Sequence, residues 1–119
     1  MPLPIRSLVP FVFVRNVATS IAFYERLGFE LANALTPDGE SEPAWASLVC
    51  GGVELMLARA RQPVVEPEHA VWLYLYVDDV QAKHAELPEA GAITYPFYAP
   101  RGEFRITDPD GYVLMITHT

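Results

Sequence analysis

The sequence predicts an α+β fold built from one β-α-β-β-β module written twice in tandem. An internal repeat carries this reading. Phe11–Val17 and Tyr74–Val80 recur at a spacing of 63 residues, so that Val14 aligns with Val77, Val17 with Val80, Ala22 with Ala85 and Gly28 with Gly91. Each half also closes on a tight turn feeding a short apolar strand. These are Gly51-Gly52-Val53-Glu54-Leu55-Met56 and Thr107-Asp108-Pro109-Asp110-Gly111-Tyr112-Val113-Leu114-Met115. A repeat of this kind sets the architecture before any local signal is weighed.

The elements follow in order. Residues 8–14 alternate and are rich in β-branched and aromatic types, as a strand requires. Asn16 stands at a helix N-cap, and Ile21, Phe23, Tyr24 and Leu27 form an apolar helical stripe that Gly28 terminates. Residues 29–34, 44–49 and 53–58 then read as strands, with Asp38-Gly39 as the turn between the first two. The second half repeats the order. It has a strand over 71–77, Asp79 as cap, a helix over 80–87 shortened by Pro88, Gly91 as terminator, and strands over 92–95, 103–107 and 112–117. Residues 62–68, with two prolines, join the modules along an extended path. The expected organisation is a single domain over 1–119, with modules over about 5–60 and 69–118.

Composition narrows the classes of function. At 119 residues and 51% hydrophobic, the chain is long and apolar enough for a packed core and is not disordered. No apolar run approaches the roughly 20 residues of a membrane helix, and the start lacks the apolar stretch of a secretory signal. The single cysteine, Cys50, forms no internal disulfide, so the expected compartment is a reducing cytoplasm and the thiol is expected to be buried and inert. The net charge of −7 falls mainly on the second half, where residues 63–119 carry three basic and nine acidic side chains. Such a field repels phosphate backbones and weakly favours cations, so nucleic acid is not an expected partner.

Ser20-Ile21-Ala22-Phe23-Tyr24-Glu25-Arg26-Leu27-Gly28-Phe29, Tyr76-Val77-Asp78-Asp79-Val80, and Arg101-Gly102-Glu103-Phe104 followed by Asp108-Pro109-Asp110-Gly111 resemble the vicinal oxygen chelate superfamily. This superfamily includes glyoxalases, extradiol dioxygenases, methylmalonyl-CoA epimerases, and fosfomycin and bleomycin resistance proteins. The match runs from about Leu8 to Ile116. The resemblance implies a mixed sheet curling around a cleft (the glyoxalase/bleomycin resistance fold) and a homodimer. In metal-using members it also implies His or Gln on the first strand of each module and Glu on the last. Here the matching positions are Val9, Trp72, Met56 and Met115, none of which suits a hard divalent cation. Glu54 shares a strand face with Met56 but is a single carboxylate, while His69, His84 and His118 lie in the joint, the second helix and the chain end. No metal and no cofactor is expected.

Period-two alternation then predicts the lining of the cleft. Phe11, Phe13, Trp72, Tyr74 and Tyr76 fall on one face; Leu8, Val12, Val14, Leu73, Leu75 and Val77 pack beneath the helices. Met56, Val113 and Met115 join the lining from the closing strands, with Glu54 as its lone charge. Arg101 is a candidate for an anionic ligand group, with an ion pair to Glu103 as the alternative. Trp45 is assigned to the hairpin, outside the lining, and Asp108 and Asp110 to a turn.

The reading that follows is a metal-free protein resembling bleomycin resistance proteins, sequestering a small aromatic or cationic molecule in a dimer cleft, with no catalytic residue. The alternatives are a metal-dependent enzyme of the glyoxalase or dioxygenase type and a dimeric interaction module with a closed cleft.

Overall fold

The structure is a computed structural model that describes residues 2–64 and 71–119. Backbone packing divides the chain into two compact units, 1–63 and 64–119. His69 and residues 65–68 of the joint lie outside the described residues.

The first unit runs β1 (Phe11–Val14), α1 (Val17–Leu27), β2 (Glu30–Leu35), β3 (Trp45–Cys50) and β4 (Val53–Arg59). Its sheet has the order β1-β4-β3-β2, with β1 parallel to β4 and the other pairs antiparallel. The first strand is shorter than the expected 8–14, and Leu8 is 84% exposed rather than packed beneath the helix. Pro10 is the reason. It has no N–H to donate, so the ladder begins after it, although its carbonyl still accepts from Met56 N at 2.9 Å.

Helix α1 starts at Val17 because Asn16 Oδ1 accepts the Thr19 N–H at 2.8 Å. It stops at Gly28, whose φ of 116° suits glycine and strains any residue with a Cβ. Its buried face, including Val17, Phe23, Tyr24 and Leu27, packs on the sheet side that holds Val12, Leu48, Leu55 and Leu57. Tyr24 lies edge-on to both Phe23 and Phe29, with centroids 5.1 and 6.0 Å apart.

The second unit runs β5 (Trp72–Tyr76), α2 (Val80–Ala85), β6 (Phe104–Thr107) and β7 (Val113–Thr117). Its sheet order is β5-β7-β6, with β5 parallel to β7. The strand expected over 92–95 is replaced by a single bridge, Thr94 opposite Glu103. Pro96 lacks the donor that would extend this ladder, and the chain turns at once, Ala99 N bonding Pro96 O at 2.9 Å. Asp79 caps α2 through Ala82 N at 2.9 Å. The helix ends at Glu86 in a right-handed conformation, so Gly91 is not its terminator. Gly91 instead donates to Arg105 O at 2.9 Å. Leu73, Leu75 and Val77 are half-buried, while Val80, Leu87, Phe104, Ile106, Leu114 and Ile116 form the core.

The repeated glycines therefore differ in kind. Gly28→Ala should cost about 1–2 kcal/mol, because alanine must take a left-handed conformation. Gly91→Ala meets only the Arg105 carbonyl at 3.3 Å and should cost less. Urea unfolding checks this as a shift in midpoint at constant slope.

Candidate functional site

Directly paired residues in neighbouring strands point to the same side, so the registers define the face each sheet turns away from its helix. In the first unit one row runs Phe11, Met56, Ser47, Asn33, and the next runs Phe13, Ala58, Trp45, Leu35. The bulge between Leu31 and Asn33 brings Asn33 and Leu35 into these rows. The rings of Phe11 and Phe13 are half exposed and meet edge-on at 5.4 Å. Glu54 accepts from the buried Ser47 hydroxyl at a long 3.4 Å.

In the second unit the rows are Trp72, Val113, Thr107; then Tyr74, Met115, Arg105; then Tyr76 and Thr117, with Glu103 in line as the residue preceding β6. Trp72, Tyr74 and Tyr76 are 47, 48 and 60% exposed. The two tyrosine rings are tilted at 6.4 Å, and the Arg105 guanidinium sits 5.4 Å from the Trp72 ring. Each module thus sets an aromatic ring directly opposite a methionine, Phe11 on Met56 and Tyr74 on Met115.

The expected residues fall on these two faces except Arg101, with Glu54 opposite Val49 one row beyond Met56. Phe11, Phe13, Glu54 and Met56 gather on one sheet, and Trp72, Tyr74, Tyr76, Val113 and Met115 on the other. Val113 and Met115 occupy the central strand of the second sheet and are 0 and 8% exposed, so they form its floor. Arg101 forms no ion pair with Glu103; its guanidinium Nη2 donates to Thr119 O at 2.6 Å. Its backbone N–H donates to His118 Nε2 at 3.0 Å, which ties His118 into the fold. Arg101 and His118 line, with Asp78, Asp79, Val80 and Gln81, a separate cavity of about 290 Å³.

Three residues escaped the sequence. Trp45 is not outside the lining: its register with Ala58 and Phe13 puts it among the rings of the first sheet. Its parity with Ser47 was a usable signal only once the strand pairing was known. Tyr98 left no periodic signal, because it lies in the turn-rich segment before β6. Its hydroxyl donates to Glu103 Oε1 at 3.0 Å. That bond, together with desolvation and the nearby negative charge, raises the Tyr98 pKa above its ordinary value. Glu103, expected to pair with arginine on the surface, is instead buried.

Cys50 is exposed at the end of β3, not buried, because the Gly51-Gly52 turn carries the chain end of the strand into solvent. Asp108 accepts the N–H groups of Asp110 and Tyr112 at 2.9 Å each, as a turn residue should. His84 is held between Phe104, edge-on at 4.9 Å, and the Gly91 carbonyl at 2.9 Å. A carbonyl only accepts, so Nε2 carries the ring proton.

The divalent ion of metal-using relatives does not fit this donor set. Val9 precedes β1, Met56 and Met115 present thioethers, and Trp72 an indole. Among the described residues no three His, Cys, Asp or Glu side chains converge.

A sequence model of the Glyoxalase/Bleomycin resistance protein/Dioxygenase superfamily matches residues 6–116. The chain belongs to this superfamily. No curated protein is similar enough in sequence to count as a relative. Solved structures share the superfamily fold at low identity. The bleomycin-binding protein of Streptomyces verticillus, complexed with copper(II)-bleomycin, is 18% identical, covers 99% of each chain and has a TM-score of 0.73. A second bleomycin-binding protein, complexed with bleomycin, is 22% identical over 97% of this chain and 99% of its own, with a TM-score of 0.68. The fosfomycin resistance protein FosX of Mesorhizobium loti is 11% identical over 98 and 94%, with a TM-score of 0.76.

Because the Tyr98 pKa is raised, its neutral form contributes stability that is complete below the unfolded tyrosine pKa near 10 and is lost as the pH rises through the folded value. Ultraviolet titration should show Tyr98 ionising late, as a component that is lost in Tyr98→Phe. Glu103→Gln should lower that ionisation by removing the negative charge beside the phenol.

Proposed function

We propose that this protein sequesters a small aromatic molecule by stacking it against the exposed rings of its sheets, without a metal and without making or breaking bonds. The observation that carries this reading is the row of Trp72, Tyr74 and Tyr76, three large amphipathic rings half exposed on one sheet face. Soluble proteins seldom leave such rings grouped in water unless something covers them. Phe11, Phe13 and Trp45 offer a second, less polar set on the other sheet. Each stacked ring contributes roughly 0.5–1.5 kcal/mol beyond the area it buries. Tyrosine hydroxyls orient the ligand. The acidic balance of the chain favours one that carries positive charge. The bleomycin-bound relatives support a binding role for the fold, and bleomycin is accordingly the first probe to test.

The buried floor, Val113 and Met115, favours a second reading, in which the rings complete a closed apolar contact and bind nothing. Melting curves separate the two. A ligand at about 100 times its dissociation constant raises stability by about 2.7 kcal/mol. Trp72→Ala and Trp45→Ala should each weaken binding of planar aromatic compounds, and the half-exposed Trp72 should cost less stability than the about 3–5 kcal/mol of a buried aromatic. A strongly destabilised Trp72→Ala, with no melting shift from bleomycin or a panel of planar compounds, would favour the closed contact.

We further infer a homodimer, because the exposed rings are numerous for a chain of this size. Light scattering should give twice the 13.3 kDa chain mass. Elemental analysis of the same sample should find no stoichiometric divalent metal; one ion per chain would overturn the metal-free part of the proposal.

A further inference from the structure

Glu103 is the one group on the second sheet face that packing alone does not explain. It is 5% exposed, and while Oε1 accepts from Tyr98, Oε2 is buried with no hydrogen-bond partner among the described residues. Leaving a carboxylate oxygen out of water without a donor is costly, and native proteins rarely tolerate it without a use. The neighbouring arginines face other partners. Arg105 lies over Trp72, and Arg101 donates to the Thr119 carbonyl.

The surroundings of that oxygen are specific. Phe104 pairs with Ile116 on the core side, so Glu103 turns to the opposite face, in line with Thr117 and Tyr76 and one row from Tyr74. Tyr98 stands against it, its hydroxyl donating to Oε1 at 3.0 Å. Tyr98 is therefore bonded to the buried carboxylate, and Tyr76 and Tyr74 share its sheet face one strand beyond Thr117 and Met115. The Tyr98 ring beside the carboxylate is itself exposed, and exposed side chains change rotamer within nanoseconds.

We propose that Glu103 anchors a ligand subsite on this face, and that the ligand is an aromatic compound carrying a protonated amine or amidine whose N–H donates to Oε2 beside Tyr74, Tyr76 and Tyr98. The subsite rests on the aromatic-ligand reading above and adds the charged group that the ligand must bear. A charge-assisted hydrogen bond satisfies the orphan oxygen, and ring faces stabilise the cation beside it. A quaternary ammonium has no N–H. It would leave Oε2 unsatisfied and should be rejected despite its charge.

Three probes built on one ring test this by calorimetric titration: naphthylmethylamine, its trimethylammonium analogue and the neutral, donor-free methylnaphthalene. The primary amine should bind about tenfold tighter than either of the others. Glu103→Gln should abolish the advantage of the amine over the neutral probe. Should that variant fail to fold, the wild-type ranking of the three probes still decides, and Tyr98→Phe, which keeps the ring, should preserve it. Equal binding of all three probes would overturn the subsite and leave the stacking reading standing. An amine preference that survives Glu103→Gln would place the cation elsewhere and also overturn it. No binding by any probe would defeat both.

Discussion

The parallel pairing of first strand with last is the constraint on which each module depends. Residues 11–14 lie beside 56–59, and residues 72–76 beside 113–117. A parallel pair cannot be closed by a hairpin; it needs a crossover long enough to return the chain to the same end. The first module satisfies this with a helix and two antiparallel strands, the second with a shorter helix and one strand. Every other placement follows. The helix covers one face of the sheet, and the strand pleat assigns alternate residues to the other.

That division separates the packed core from the exposed rings. The covered faces hold aliphatic side chains and a few enclosed rings such as Tyr24 and Phe104, which are 0 and 2% exposed. The uncovered faces hold the amphipathic rings and the carboxylates. The two modules use equivalent positions differently. In the rows that begin at Phe13 and Tyr76, the first sheet carries Trp45 where the second carries Glu103. In the adjacent rows Ser47 corresponds to Arg105. The first sheet therefore sets Glu54 beside apolar rings, and the second sets Glu103 and Arg105 beside tyrosines and a tryptophan.

Much of this was legible before any coordinates. The repeat, the caps at Asn16 and Asp79, the turn at Asp108 and the exposed parity of Phe11, Phe13, Trp72, Tyr74 and Tyr76 all rest on local rules of spacing and backbone bonding. Prolines marked where the local reading failed. Pro10 delayed the first strand, and Pro96 reduced an expected strand to one bridge. Gly91 aligns with Gly28 but stands at a strand contact, since α2 had already ended at Glu86.

The sequence by itself determined the modules, the helix that covers each sheet, the face taken by Phe11, Phe13, Trp72, Tyr74 and Tyr76, and the poor fit of Val9, Met56, Trp72 and Met115 to a hard cation. These depend on side-chain chemistry and on periods of two and 3.6 residues, which act between near neighbours in the chain. Only the tertiary structure decided which distant residues share a row. Trp45 joined Phe13 through Ala58, Val113 and Met115 became a buried floor, and Arg101 turned to Thr119 rather than Glu103. Glu103 was left with Tyr98 and one unsatisfied oxygen. Register and burial arise from pairing between strands far apart in sequence, and no local pattern encodes which partner a side chain will meet there.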